Sequence, residues 1–282
     1  MLTATVYSEA GGVGKTSLTA NLGRALSDAG HEVLLIDLDP QDASLSYLLD
    51  VDDERDNPEA NNLVRYLVGR SEGSLEPIIR EAEGMDIIPS HNMLEQISKH
   101  LQRRANEAAD FGESFNVNKQ LLRVLREAGV QDKYDVILID PAATADTKVY
   151  NAIHATRSLI IPFEPTGKGS QSVSGLEDLV LGLEEQLSID VGVMGIVPNK
   201  YKDTRDQQQI ITEVQDGPYA VPVVFRERSS LIEGCWNKQC TAFKYIPEHR
   251  KRERDYERDT LEKFETLAEW CASEVGLEVM EA

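Results

Sequence analysis

The feature that most limits how this chain can fold is a glycine-rich turn, Ser8-Glu9-Ala10-Gly11-Gly12-Val13-Gly14-Lys15-Thr16-Ser17. It lies between the apolar run Leu2 to Tyr7 and a helical pattern that reaches about Ala29. A strand, such a turn and a helix opening at Lys-Thr wrap backbone N–H groups around phosphate oxygens, and the helix N-terminus adds the positive end of its dipole. Gly11, Gly12 and Gly14 let the backbone approach an anion with no Cβ in the way. Lys15 is placed to neutralise the β- and γ-phosphates and the Thr16 hydroxyl to hold Mg²⁺, so Gly11 through Ser17, with Val13 inside it, is the expected nucleotide-binding stretch.

The strict phosphate-loop pattern asks for glycine five places before Gly14, where this chain has Glu9. The triplet Gly-Gly-Val before Gly-Lys-Thr instead resembles the deviant Walker A turn of the ParA/MinD family of ATPases. Family members carry a signature lysine immediately before the two glycines, which reaches the phosphates of a partner subunit; here that place is Ala10. Lys168, between Gly167 and Gly169, is the expected replacement, because a lysine flanked by glycines extends from a pliant backbone toward an anion; a solvated loop lysine is the alternative.

Apolar runs that end in carboxylates extend the pattern. Glu32 to Ile36 leads into Asp37-Leu38-Asp39-Pro40-Gln41, and Tyr134 to Ile139 leads into Asp140. In open α/β sheets such strand ends face the crevice where ligands bind. By the resemblance, Asp39 orients the attacking water and touches Mg²⁺ through solvent, with Asp37 in support; Asp140 stands at the Walker B position and orders the metal's water shell. The resemblance also places Asn199 at the adenine edge and Phe225 and Arg226 beside the base.

Further strands are expected at Met85 to Ile88, Ser158 to Pro162, Val191 to Val197 and Val221 to Phe225. Helical patterns are expected at 63–68, 75–82, 93–109, 116–128 and 172–187, and residues 50–62, almost without apolar side chains, as an exposed loop. The fold class that follows is α/β, a doubly wound, mainly parallel sheet flanked by helices, with residues 1–282 as one domain.

Composition narrows the partners. With 49 acidic against 29 basic residues the net charge is -20, a field that repels nucleic acid in general. A halophilic cytoplasm and an acidic partner surface both account for it, and the spread of acids along the whole chain favours the halophile. Partition-type relatives display arginines to DNA, and Tyr201 to Arg205 resembles the family's segment there. Arg205 and Arg226 are therefore weak DNA candidates, joined by Arg250, Arg254 and Arg258, whose spacing of four gives one face of a helix expected over Lys244 to Asp259. That helix balances six positive against five negative side chains, so an ion-paired solvated surface is the competing reading.

Nothing resembles a secretory leader or a membrane span, and the acidic C-terminal stretch, with Leu267, Trp270 and Cys271 expected to pack on the body, suits no anionic bilayer. A cytoplasmic location follows, at the nucleoid if DNA is bound. Cys235, Cys240 and Cys271 are too few and irregular for a disulfide scaffold or zinc site, and none lies near Asp140 to hold an iron–sulfur cluster.

The resemblance thus implies ATP/ADP and Mg²⁺ as ligands, an ATP-dependent homodimer, slow hydrolysis, and a centromere-binding or cargo-adaptor partner through which plasmid, chromosome or protein cargo is distributed. A nucleotide-gated dimerising adaptor with little or no hydrolysis is the alternative. A phosphate-transferring metabolic enzyme lacks a distinct acceptor motif.

Overall fold

The computed structural model describes residues 1–166, 173–252 and 254–277. Seven strands form one sheet: β1 (Leu2–Val6), β2 (Val33–Leu38), β3 (Arg80–Ala82), β4 (Met85–Ile88), β5 (Val136–Pro141), β6 (Ser158–Phe163) and β7 (Gly192–Pro198). Their spatial order is β3-β4-β2-β5-β1-β6-β7, and every pair is parallel except β3 with β4. The sheet is the expected doubly wound, mainly parallel one, and β1, which feeds the glycine-rich turn, runs between β5 and β6.

Parallel strands are covered on both faces, which explains their unbroken apolar runs. On one face, Ala4, Leu35 and Leu138 pack with α1 (Lys15–Asp28) and with the C-terminal helices α9 (Ser229–Lys238), α10 (Ala242–His249) and α11 (Asp255–Glu274). On the other, Leu34, Ile36 and Ile139 meet α3 (Leu63–Leu67), α4 (Ile97–Asp110) and α5 (Gln120–Glu127). Beside these, Leu159 and Ile161 of β6 pack with α6 (Thr147–Thr156), α7 (Val173–Leu187) and α8 (Arg205–Gln215). A short α2 (Leu45–Leu48) follows β2. Each fully buried Leu or Ile contributes about 1.5–3 kcal/mol, so β2 with its neighbours anchors the molecule and holds the strand ends in place.

Three expectations are corrected. Residues 75–82 are not a helix but a 3-10 turn at Glu76–Ile78 followed by β3. Ala82 pairs with Met85 across a two-residue turn in which Glu83 and Gly84 both have positive φ, the geometry that a tight hairpin requires. Residues 221–225 are not a strand. Pro222 has no N–H to give and packs where a Cβ on Gly195 would meet it at 3.2 Å, so the segment is tied to β7 mainly through Ile196 N to Ala220 O and Phe225 N to Pro198 O, each 2.8 Å.

The third correction is the helix expected over Lys244 to Asp259. It is broken: α10 ends at His249 and α11 begins at Asp255, with Arg250 in extended backbone between them. Glu257 is wholly buried and needs a cation, and the break delivers the Arg250 guanidinium 2.8 Å from it. Arg250 and Arg254 therefore precede α11, and the three arginines do not form the expected single helical ridge. Leu267 and Cys271 are buried as expected, and all three cysteines are buried free thiols. Among the described residues no helix is long and apolar enough to cross a membrane.

Candidate functional site

The turn after β1 makes one end of a cavity of about 580 Å³ at the C-terminal edge of the strands. Gly12 and Gly14 both adopt positive φ, at +75° and +96°, and Gly14 caps α1 without any side-chain hydrogen bond. No acidic side chain occupies the first turn of α1, so its opening amides and dipole are left for an external anion. A Cβ on Gly14 would lie 2.5 Å from Nδ2 of Asn199, so glycine is required there by space as well as by conformation.

Asn199, expected at an adenine edge, is built into the cradle. Its Nδ2 donates to Val13 O at 2.8 Å and its Oδ1 accepts from Lys200 N at 2.9 Å, which fixes the turn against the end of β7. The residue singled out by the resemblance thus lines the cavity, with its amide engaged by the protein itself.

The floor of the cradle is electrostatically unusual. Asp140 is 1% exposed, and neither of its carboxylate oxygens completes a hydrogen bond among the described residues. Burial, then the neighbouring Asp37, pushes its carboxyl well above the ordinary range; Thr16 and Lys15 pull it back without cancelling that push. Burial lowers the Lys15 ammonium, opposed by Asp140 and Asp39. A buried, unpartnered carboxylate beside a threonine hydroxyl is a donor set that suits a hard divalent cation with water in its shell. The residues present therefore fit Mg²⁺, with Thr16 and Asp140 as the groups that would hold it.

Asp37 takes a supporting role by geometry. Its Oδ2 accepts from Ser46 N at 2.8 Å and Ser46 Oγ at 2.6 Å, and its Oδ1 accepts from Asp39 N at 3.0 Å. Burial nevertheless raises it to about 6. Asp39, half-buried, lines the cavity and accepts from Gln41 N at 3.0 Å through Oδ1. The expected set Gly11, Gly12, Gly14, Lys15, Thr16, Ser17, Asp39, Asn199, Phe225 and Arg226 converges on this one cavity. Val13 is buried beneath it, and Asp140 lies behind Thr16.

Most of the far wall was not legible in the motifs. Phe225 is buried and packs on Phe264 with ring centroids 4.4 Å apart; Ile232 and Trp236 of α9 complete an apolar surface. Phe225 is the residue of this wall that the resemblance places beside the base; Ile232, Trp236 and Phe264 join it unforeseen, and the apolar positions of the C-terminal helices were the available signal. Lys168 lies outside the described residues.

The arginines proposed for DNA are mostly engaged within the chain. Arg226 pairs with Asp203 at 3.0 Å and lies over Tyr201, Arg250 pairs with Glu257, and Arg254 bonds Tyr256. Arg205 begins α8 on the exposed surface, and Arg258 is an exposed residue of α11.

Comparison with known proteins agrees with this architecture. A family model described as an AAA domain matches residues 1–190. An uncharacterized protein of Methanocaldococcus jannaschii is 27% identical over 98% of this chain and 100% of its own length. Maintenance of carboxysome distribution protein A of Synechococcus elongatus is 29% identical over 70% of this chain and 72% of its own. The septum site-determining protein MinD of Pyrococcus horikoshii, solved with Mg-ADP, superposes with a TM-score of 0.69 at 24% identity, covering 99% of both chains.

Proposed function

Because the chain belongs to the AAA-domain family of ParA- and MinD-type P-loop ATPases, we propose that it binds ATP with Mg²⁺ in the glycine cradle and hydrolyses it slowly to ADP and phosphate. The observation that carries this reading is Asp140, a buried carboxylate beside Thr16 and Lys15 whose oxygens complete no close hydrogen bond among the described residues, at the foot of an anion-binding turn. In this reading the turn and Lys15 bind the phosphates, Thr16 and Asp140 hold the metal site, and the apolar wall of Phe225, Ile232 and Trp236 takes the base. Bound Mg²⁺ would supply neutralisation of the charge on the phosphate oxygens. Asp39 orients the attacking water; its Oδ1 is occupied by Gln41 N, which leaves Oδ2 for that task.

The ATP-bound form pairs as a homodimer, and a second protein, of centromere-binding or cargo-adaptor type, stimulates turnover. Acting as a single partition-type domain in the cytoplasm, the dimer distributes plasmid, chromosome or protein cargo, with non-specific DNA as its matrix. The relative named for carboxysome distribution supports protein cargo. Arg205 and Arg226 are the DNA residues retained in this reading, and Lys168 remains the proposed stand-in for the lysine absent at position 10.

Ala10 also favours a second reading, an adaptor that dimerises on ATP with little or no hydrolysis. Equilibrium binding of a fluorescent ATP analogue with Mg²⁺, single-turnover hydrolysis, and sedimentation with and without ATP test both. Tight binding with measurable turnover supports the ATPase. Tight binding and dimerisation without turnover select the adaptor, and no binding overturns both.

A further inference from the structure

The acidic segment between residues 50 and 62 contains one cation, Arg55, and the structure buries it to 7% exposure. Placing a guanidinium there costs free energy unless it is paired and hydrogen-bonded. The carboxylate paired with it among the described residues, on Asp42 at 3.1 Å, is fully exposed and so offsets little of that cost. The remaining partners decide what Arg55 does. Its Nη2 donates to Pro40 O, and its Nε donates to Asn92 Oδ1 at 2.9 Å; Asn92 N returns a bond to Arg55 O at 3.2 Å. Pro40 and Asp42 flank Gln41 in the turn that carries Asp39 into the cavity.

That turn is held elsewhere too. Ser90 Oγ donates to Asp39 O at 2.6 Å, Ser90 N donates to Ser46 Oγ at 2.8 Å, and Asp39 N is bound by Asp37. The carbonyls of Asp39 and Pro40 are therefore both fixed from outside the turn, one by the segment after β4 and one by the acidic segment. A planar guanidinium serves two acceptors at once, here the Pro40 carbonyl and the Asn92 amide, and so bridges those two segments.

We propose that Arg55 is a positioning residue for hydrolysis: by clamping the Pro40 carbonyl to Asn92 it holds the Asp39 carboxylate in the place from which it directs water. The proposal rests on the ATPase reading given above. Arg55 itself touches neither nucleotide nor metal; its effect passes through the backbone on either side of Pro40.

The test compares wild type, Arg55→Ala, Arg55→Lys and Asn92→Ala by three measurements: affinity for a fluorescent ATP analogue with Mg²⁺, single-turnover hydrolysis, and amide hydrogen exchange at residues 41–43. Displacement of a reacting group by about 1 Å costs about 100-fold in rate. Arg55→Ala is therefore expected to lower the single-turnover rate by about 10- to 100-fold, with nucleotide affinity changed by less than about 3-fold, and to speed exchange at Gln41 and Asp42. Arg55→Lys, which keeps the charge and one donor direction, is expected to recover part of the rate.

A wild-type rate in folded Arg55→Ala overturns the proposal. So does a fall in affinity as large as the fall in rate, which would make the role structural only. If Arg55→Ala does not fold, Asn92→Ala, which removes the Nε anchor, takes its place under the same criteria. If wild type itself does not turn over ATP, the ATPase reading fails and with it the positioning role; faster exchange in Arg55→Ala would then still establish the clamp on the turn, and unchanged exchange would sink that as well.

Discussion

Asp37 on β2 and Asp140 on β5 stand opposite each other in register on adjacent parallel strands, both excluded from solvent. Two carboxylates at that spacing in a dry site resist ionising together. Burial pushes Asp37 up to about 6 from an ordinary 3.8, and burial, then the charge of Asp37, pushes Asp140 the same way.

Stability of the metal-free protein is expected to fall as pH rises. The unfolded chain releases the Asp37 proton near 3.8, while the folded chain keeps it to about 6, so the folded state binds more protons in between. The advantage is full below the lower value, is lost across the interval and is gone above about 6; the gap corresponds to about 3 kcal/mol. Urea midpoints from pH 4 to 8 in chelator-treated buffer check this, and Asp37→Asn should make the profile shallower, the remainder belonging to the buried Asp140. An equally steep profile in that variant would assign the dependence elsewhere.

Lys15 and Asp39 should separate binding from chemistry. Lys15→Ala is expected to weaken the ATP analogue by about 100-fold, since the cradle loses the half-buried ammonium at the start of α1. Asp39→Ala should keep affinity within a few-fold and lower single-turnover hydrolysis by about 100-fold or more. Equal losses of affinity and rate in Asp39→Ala would remove it from the chemical step.

Gly14→Ala should be poorly tolerated for two independent reasons, the left-handed backbone and the 2.5 Å approach of Asn199. The backbone part alone costs about 1–2 kcal/mol. Adding Asn199→Ala is expected to restore some thermal stability by clearing the space, leaving the conformational part in place. Full restoration would mean that φ is unimportant, and no restoration that the side chain is.

Arg250→Ala should destabilise the chain by about 3–5 kcal/mol, because it removes the cation paired with the buried Glu257. Replacing both partners, Arg250→Met with Glu257→Leu, should come close to wild type in a denaturant titration. A mild effect of the single variant would show that Glu257 reaches water.

The phosphate end of the site was legible because its signal is local. Gly12, Gly14, Lys15 and Thr16 lie within five residues, and the strands carrying Asp37 and Asp140 are continuous apolar runs ending in acids. What escaped was decided over distance. Arg55 reads as one charge in a polar loop until Pro40 and Asn92 are brought to it. The β3 strand is three residues long and mostly polar, and its evidence was the Glu83-Gly84 turn rather than its own composition. The break before α11 answered a buried Glu257 that periodicity could not reveal.

The match to the family stops at residue 190, yet the cavity is finished by Phe225, Trp236 and Phe264. The family model therefore takes in the glycine turn and leaves out the apolar wall, which the full-length likenesses cover. A cut at residue 190 would take away β7, Asn199 and the helices packed on α1, and so remove the brace of the glycine turn along with the apolar wall.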